Sequence, residues 1–165
     1  MKVFFIIFSL LFLGSEINAQ NLEIGSKVPE ISANTIQNES FVLSEVKKEV
    51  VLLDFWASWC APCVLEQPEL KEIYQKYSQE VQEGKFDIIG ISLDKSKENW
   101  EKAVNKAQIN WTQVSDLKFW KSPIAKAYFI QELPFNLIID KEGKVIAKNL
   151  HGKDLEKFLE SQFKK

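Results

Sequence analysis

Two cysteines occur in the 165 residues, and they stand three apart in Trp59-Cys60-Ala61-Pro62-Cys63. If a helix begins there, Cys60 falls at its N-terminus, where unpaired N–H groups and the helix dipole favour a thiolate. Cys63 then lies one turn further on, within reach of Cys60. Pro62 suits the first turn, because it has no N–H to leave unpaired and its backbone dihedral is already helical. A stabilised, exposed thiolate beside a second thiol is the arrangement that thiol–disulfide exchange requires. Two blander uses of the pair compete. A zinc site needs four ligands, and His151 is the chain's one histidine. A purely structural disulfide across so short a loop would constrain the unfolded chain little.

The elements around the pair follow from periodicity. Residues 50–56, Val-Val-Leu-Leu-Asp-Phe-Trp, form a continuous apolar run, the pattern of a strand buried on both faces. Asp54 is the single charge inside it. From Pro62 the period changes: Leu65, Leu70, Ile73, Tyr74, Tyr77 and Val81 recur at helical spacing until Gly84, with a bend expected at Pro68. Residues 86–93 read as a second buried strand. Ser96 can cap a helix through Ala107 whose apolar stripe is Trp100, Ala103 and Val104. A short helix is expected over 122–128. Residues 135–139 and 144–147 form a hairpin about Asp140-Lys141-Glu142-Gly143, and an amphipathic helix over 153–163 closes the chain. Upstream, residues 31–33 and 41–43 are short strand candidates around a polar turn. Strands alternating with helices predict an α/β fold with a mixed central sheet flanked by helices.

Composition narrows the function classes. Hydrophobic residues make up 45% of the chain, and the formal charge is −2, which excludes intrinsic disorder and lacks the basic excess of a nucleic-acid binder. All 21 basic residues are lysine, so bidentate arginine clamps on phosphate or carboxylate are absent from the sequence. Met1-Lys2, an apolar stretch over 3–13 and the polar-to-small run ending at Ala19 have the layout of an export signal. The apolar run is shorter than the ~20 residues a membrane span needs. The expected division is a signal peptide over 1–20 and one domain over 21–165, with an uncleaved membrane anchor as the alternative. Export would place the cysteines where thiols are not kept reduced by default.

Residues 51–68 around the cysteines, together with Leu133-Pro134 before Phe-Asn-Leu-Ile-Ile-Asp and the segment Gly90-Ile-Ser-Leu-Asp, resemble the thioredoxin superfamily. The nearest likeness is to its exported TlpA/ResA-like (AhpC/TSA-type) branch, and it runs over roughly residues 25–163. The resemblance implies a thioredoxin-like fold with an N-terminal β extension and a helical insertion before a cis-proline loop. It implies that Cys60 attacks and Cys63 resolves, that Pro134 faces the pair, that the Leu133 backbone binds an extended substrate segment, and that Trp59 and Pro62 border the groove. Asp54 matches the buried acid of cytosolic thioredoxins, a position where many exported relatives are uncharged. A desolvated carboxylate there has a raised pKa and can take the Cys63 proton; the alternative is an Asp facing solvent at a strand end. Glu66 matches a glutamate of this branch, either tuning the thiols or lying exposed on the helix.

The function so implied is a periplasmic thiol–disulfide oxidoreductase, a reductase of protein disulfides serving cytochrome c maturation or envelope redox homeostasis. It would need no metal or cofactor, would bind no nucleic acid, and would be recharged by a membrane electron donor. A thiol peroxidase and a non-catalytic peptide-binding module are the alternatives. Peroxidases of the AhpC/TSA kind place Thr or Ser before a lone attacking cysteine, where this chain has Trp59. Trp100, Trp111 and Trp120 read as core or groove packing, and His151 as a surface or turn residue without a catalytic partner.

Overall fold

The computed structural model describes residues 22–163, so the expected export signal lies outside the described residues. Seven strands form one mixed sheet: β1 (Ser32–Thr35), β2 (Ser40–Val42), β3 (Val50–Trp56), β4 (Phe86–Ser92), β5 (Thr112–Ser115), β6 (Phe135–Asp140) and β7 (Val145–Lys148). Their order across the sheet is β2-β1-β5-β4-β3-β6-β7. The central strands β3, β4 and β5 run parallel, and the outer pairings are antiparallel. The helices are α1 (Ala61–Lys76), α2 (Ser78–Gln82), α3 (Lys97–Ala107), α4 (Pro123–Ala127) and α5 (Gly152–Phe163).

Every residue of β3 is buried, which explains why the strand carries no polar alternation. Its alternate side chains feed two apolar clusters. Val50 and Leu52, with Ile88 and Ile138, pack under Leu70 and Ile73 of α1 and Leu155 and Leu159 of α5. Val51, Leu53 and Phe55 join Ile89, Ile91 and Leu137 with Tyr128, just after α4, and the N-terminal residues Ile31 and Phe41. That second cluster extends to Cys60 and Cys63, so the cysteine turn is anchored in the core. The N-terminal hairpin β1–β2 is the expected β extension; the Tyr128 hydroxyl donates to the Pro29 carbonyl at 2.6 Å and ties the two ends of this layer together.

Two elements differ from the sequence expectation, the helix after the cysteines and the stretch before the cis-proline loop. The helix after the cysteines stops at Tyr77 and restarts as α2 instead of running to Gly84. Leu65, counted in its apolar stripe, is 80% exposed. The buried stripe of α1 runs instead through Cys63, Gln67, Leu70 and Ile73 at spacings of four and three, and Leu65 falls outside it. Finally, β5 lies in a stretch with no strand expectation, Thr-Gln-Val-Ser, so the insertion before the cis-proline loop is part strand. Its buried Gln113 is held by a specific partner, the Trp56 indole, whose Nε1 donates to Gln113 Oε1 at 2.9 Å. Periodicity does not register that kind of burial.

Candidate active site

β3 ends at Trp56, and the chain turns through Ala57-Ser58-Trp59, with the Cys60 N–H donating to the Ala57 carbonyl at 3.1 Å. Cys60 is the N-cap of α1: its backbone is extended, and its sulfur accepts from the Cys63 N–H at 3.3 Å. Pro62 sits in the first turn, exposed to solvent. Cys60 and Cys63 are joined in a disulfide, with Cα atoms 5.3 Å apart. Cys60 is 6% exposed and Cys63 1%, so access is narrower than the expected exposed thiol and falls on Cys60.

On the α1 side of β3 lies Asp54, 3% exposed, which removes the alternative of a solvent-facing strand-end Asp. Gln67 of α1, also buried, donates its amide to Asp54 Oδ2 at 3.3 Å, and its own Oε1 is left without a partner. Burial is the main reason the Asp54 pKa rises from 3.8 to about 7; the Glu66 carboxylate pushes the same way, while Gln67 and His151 oppose it. Glu66 is not an exposed helix glutamate. Its side chain is 12% exposed, and Oε1 lies 2.5 Å from Nδ1 of His151. His151 therefore has a partner at the site, contrary to its reading as an isolated surface residue. The contact links positions 85 apart in the chain, and no local pattern announces it. The Glu66 carboxylate raises the His151 pKa above its ordinary value.

Asp94 is a residue that the sequence reading left without a role. It is buried after β4 and accepts from the Ser58 N–H at 2.9 Å, the Ser58 hydroxyl at 2.6 Å and the Ser92 hydroxyl at 2.8 Å. These bonds fasten the loop that delivers Cys60. The one available signal was its place at the end of Gly90-Ile-Ser-Leu-Asp.

The Leu133–Pro134 peptide bond is cis. Phe135 pairs with Phe55, so Pro134 stands one step beyond, at the end of the sheet where β3 releases the cysteine loop. Leu133 is partly buried against the core cluster that contains both cysteines. Trp59 is 45% exposed and meets two other exposed rings, Phe119 at 5.1 Å and Trp120 at 5.9 Å between centroids. Trp100 and Trp111 are core residues, whereas Trp120 belongs to this surface cluster. Among the described residues, no group of three or more His, Cys, Asp or Glu is arranged to hold a metal ion.

The geometry has counterparts among known proteins. The thioredoxin-like family matches residues 48–145. ResA, a thiol-disulfide oxidoreductase of Bacillus thuringiensis subsp. konkukian, is 31% identical over 163 residues, covering 94% of this chain and 85% of its own. The thioredoxin domain of a thiol-disulfide oxidoreductase from Bacteroides vulgatus superposes with a TM-score of 0.78 at 32% identity, covering 86% of this chain and 99% of that domain. A thiol-disulfide oxidoreductase from Bacteroides fragilis gives 0.77 at 33% identity, over 84% of this chain and all of its own.

Proposed function

The chain belongs to the thioredoxin-like family and is a thiol–disulfide oxidoreductase; from that premise we propose that it is an exported reductase of protein disulfides. The observation that carries the reading is the Cys60–Cys63 pair at the N-terminus of α1, the helix whose Gln67 holds the buried Asp54. In the reduced protein, the Cys60 thiolate attacks one sulfur of a substrate disulfide. A Cys60–substrate bond forms, the substrate S–S bond breaks, and the departing substrate thiolate takes a proton from solvent. Cys63 gives its proton to the Asp54 carboxylate, and the new thiolate attacks Cys60 Sγ. The substrate leaves as its second thiol, and the protein is left as the disulfide, two electrons poorer.

Reduction is the favoured direction on electrostatic grounds. The first turn of α1 has no basic residue, and the Glu66 carboxylate stands one helical turn beyond Cys63 on the same helix. That charge disfavours a thiolate and with it the reduced form, which makes the dithiol a donor. A polypeptide substrate fits the surface. Cavities of about 420 and 500 Å³ are lined by residues that include none of Cys60, Cys63, Trp59 or Pro134. Cys60 instead follows directly on the exposed Trp59 and its ring neighbours, a face suited to a chain segment more than to an enclosed small molecule. In this reading Leu133 and Pro134 would border the substrate segment, with Trp59 and Pro62 opposite.

Export rests on residues 1–20. It brings the finer expectations of a periplasmic location, a membrane electron donor and a role in keeping apocytochrome thiols reduced. Reduced protein is expected to accelerate insulin disulfide reduction, and Cys60→Ser to lose that acceleration; equal activity in both would overturn the reading. N-terminal sequencing of protein from a fractionated host is expected to find the mature chain beginning at Gln20 or Asn21. Recovery from the cytosol with Met1 intact would remove the export claim.

A further inference from the structure

His151, the chain's one histidine, is held in place by its neighbours. The preceding residues are fastened to Asn136 of β6: the Asn149 N–H donates to the Asn136 carbonyl at 2.9 Å, and the Asn136 N–H donates to Asn149 Oδ1 at 3.4 Å. The Asn136 side chain grips Leu150 both ways, donating to its carbonyl at 2.7 Å and accepting from its N–H at 3.1 Å. Asn136 is itself buried and is the residue paired with Asp54 across β3 and β6. The strand partner of the buried acid thus sets the position of the loop that carries the imidazole. Nδ1 then meets Glu66, whose chain neighbour Gln67 holds Asp54. The other charges around His151 are Glu69 on α1 and Asp54 on β3, with Lys153 and Asp154 following in the first turn of α5.

We propose that His151 is a positioning residue of the redox centre: its imidazolium holds Glu66 and offsets the charge that Glu66 imposes on Asp54, keeping Asp54 available as the base for Cys63. A buried carboxyl beside a second carboxylate resists ionisation, and a cation bonded to that carboxylate relieves the resistance. The directions at the site agree, with Glu66 raising the Asp54 pKa, His151 lowering it, and Glu66 raising that of His151. On the acid side His151 is protonated and favours the Asp54 carboxylate. As pH rises, the imidazole loses its proton, the Glu66 charge is uncovered, and Asp54 holds its own proton more tightly. The pair therefore spreads the Asp54 titration over a wider pH range than an isolated carboxyl would show.

The kinetic consequence rests on Asp54 being the proton acceptor proposed above, but the charge coupling is measurable without it. The test uses protein spanning residues 21–165, which contain the whole described fold, oxidised for the titrations and, for the rate, reduced and then loaded at Cys60 with a mixed disulfide. Carboxyl NMR follows Asp54 and the imidazole signals follow His151, in wild type, His151→Gln and His151→Ala. Gln keeps a donor for Glu66 and lacks the charge, and it carries the test if the Ala variant does not fold. Both variants are expected to titrate Asp54 at higher pH than wild type, and to slow resolution of a mixed disulfide about three-fold below neutral pH. An Asp54 midpoint in His151→Gln equal to that of wild type would overturn the inference. Full resolving rate in Asp54→Asn would instead overturn the acceptor role of Asp54, leaving the coupling to be judged by the midpoint.

Discussion

At Asp54 the chemistry of the site and the stability of the fold pull in opposite directions. Its pKa is 3.8 when unperturbed and about 7 in the fold, so folding takes up a proton between those values. Stability therefore falls as pH rises from about 4 to about 7, where the unfolded chain binds fewer protons than the native one, and stays at the lower level above. Asp54→Asn has no charge to bury. It is expected to exceed wild type in stability by a few kcal/mol at about pH 8 and to differ little at about pH 4. Urea denaturation at the two pH values checks this, and a destabilised variant at the higher pH would contradict it. The same acid charge weighs on the disulfide: Glu66→Gln is expected to make the pair more oxidising by on the order of 30 mV, the equivalent of about 1.4 kcal/mol. Equilibration with glutathione would read it, and a shift in the reducing direction would contradict the argument. The cysteines and Asp54 could be found in the sequence because one short stretch carries them. The Glu66–His151 contact could not: Glu66 lies in that stretch, but His151 comes from the entry to α5, 85 residues on and outside any diagnostic motif.

The elements position the site through a few close approaches. Gly90 of β4 is paired with Gln113 of β5, and a Cβ at position 90 would stand 2.1 Å from Gln113 Nε2. Gln113 is buried and bonds the Trp56 indole, so it cannot move without breaking that contact. Gly90→Ala is expected to cost about 1–3 kcal/mol, lowering Tm by roughly 2–4 °C for each kcal/mol. Calorimetry measures this, and an unchanged Tm would show that the β4–β5 contact is looser than described. The turn at Phe119–Lys121 brings two rings to Trp59 in the face beside Cys60. Trp120→Ala is expected to lower kcat/KM about five-fold for a protein disulfide and to leave a small aliphatic disulfide unaffected. Equal losses on both substrates would remove the docking role of the rings. Strand β3 and helix α3 were legible from uniform burial and from a Ser96 cap, which the structure shows accepting from the Asn99 N–H. β5 was not, because polar partners bury it; nor was the break at Tyr77, where the apolar spacing continues across two helices.

Over the whole molecule, three distant segments converge on one end of the sheet: residues 54–67 with the disulfide and Asp54, residues 92–94 with the loop clamp, and residues 133–151 with the cis-proline turn and His151. The alternation of strand and helix was enough to read the fold class. The strand order was not, since β5 enters between β1 and β4 through pairings that only the tertiary structure creates. What the assembly produces is a cysteine pair at the head of the helix that carries Glu66, next to the exposed ring of Trp59, and its direction of electron flow is the central claim. The equilibrium reduction potential of Cys60–Cys63 in protein spanning residues 21–165 tests that claim most directly. A value of about −250 mV or lower is expected of a donor dithiol, whereas about −120 to −180 mV would make the protein an oxidant or isomerase and contradict its assignment as a reductase.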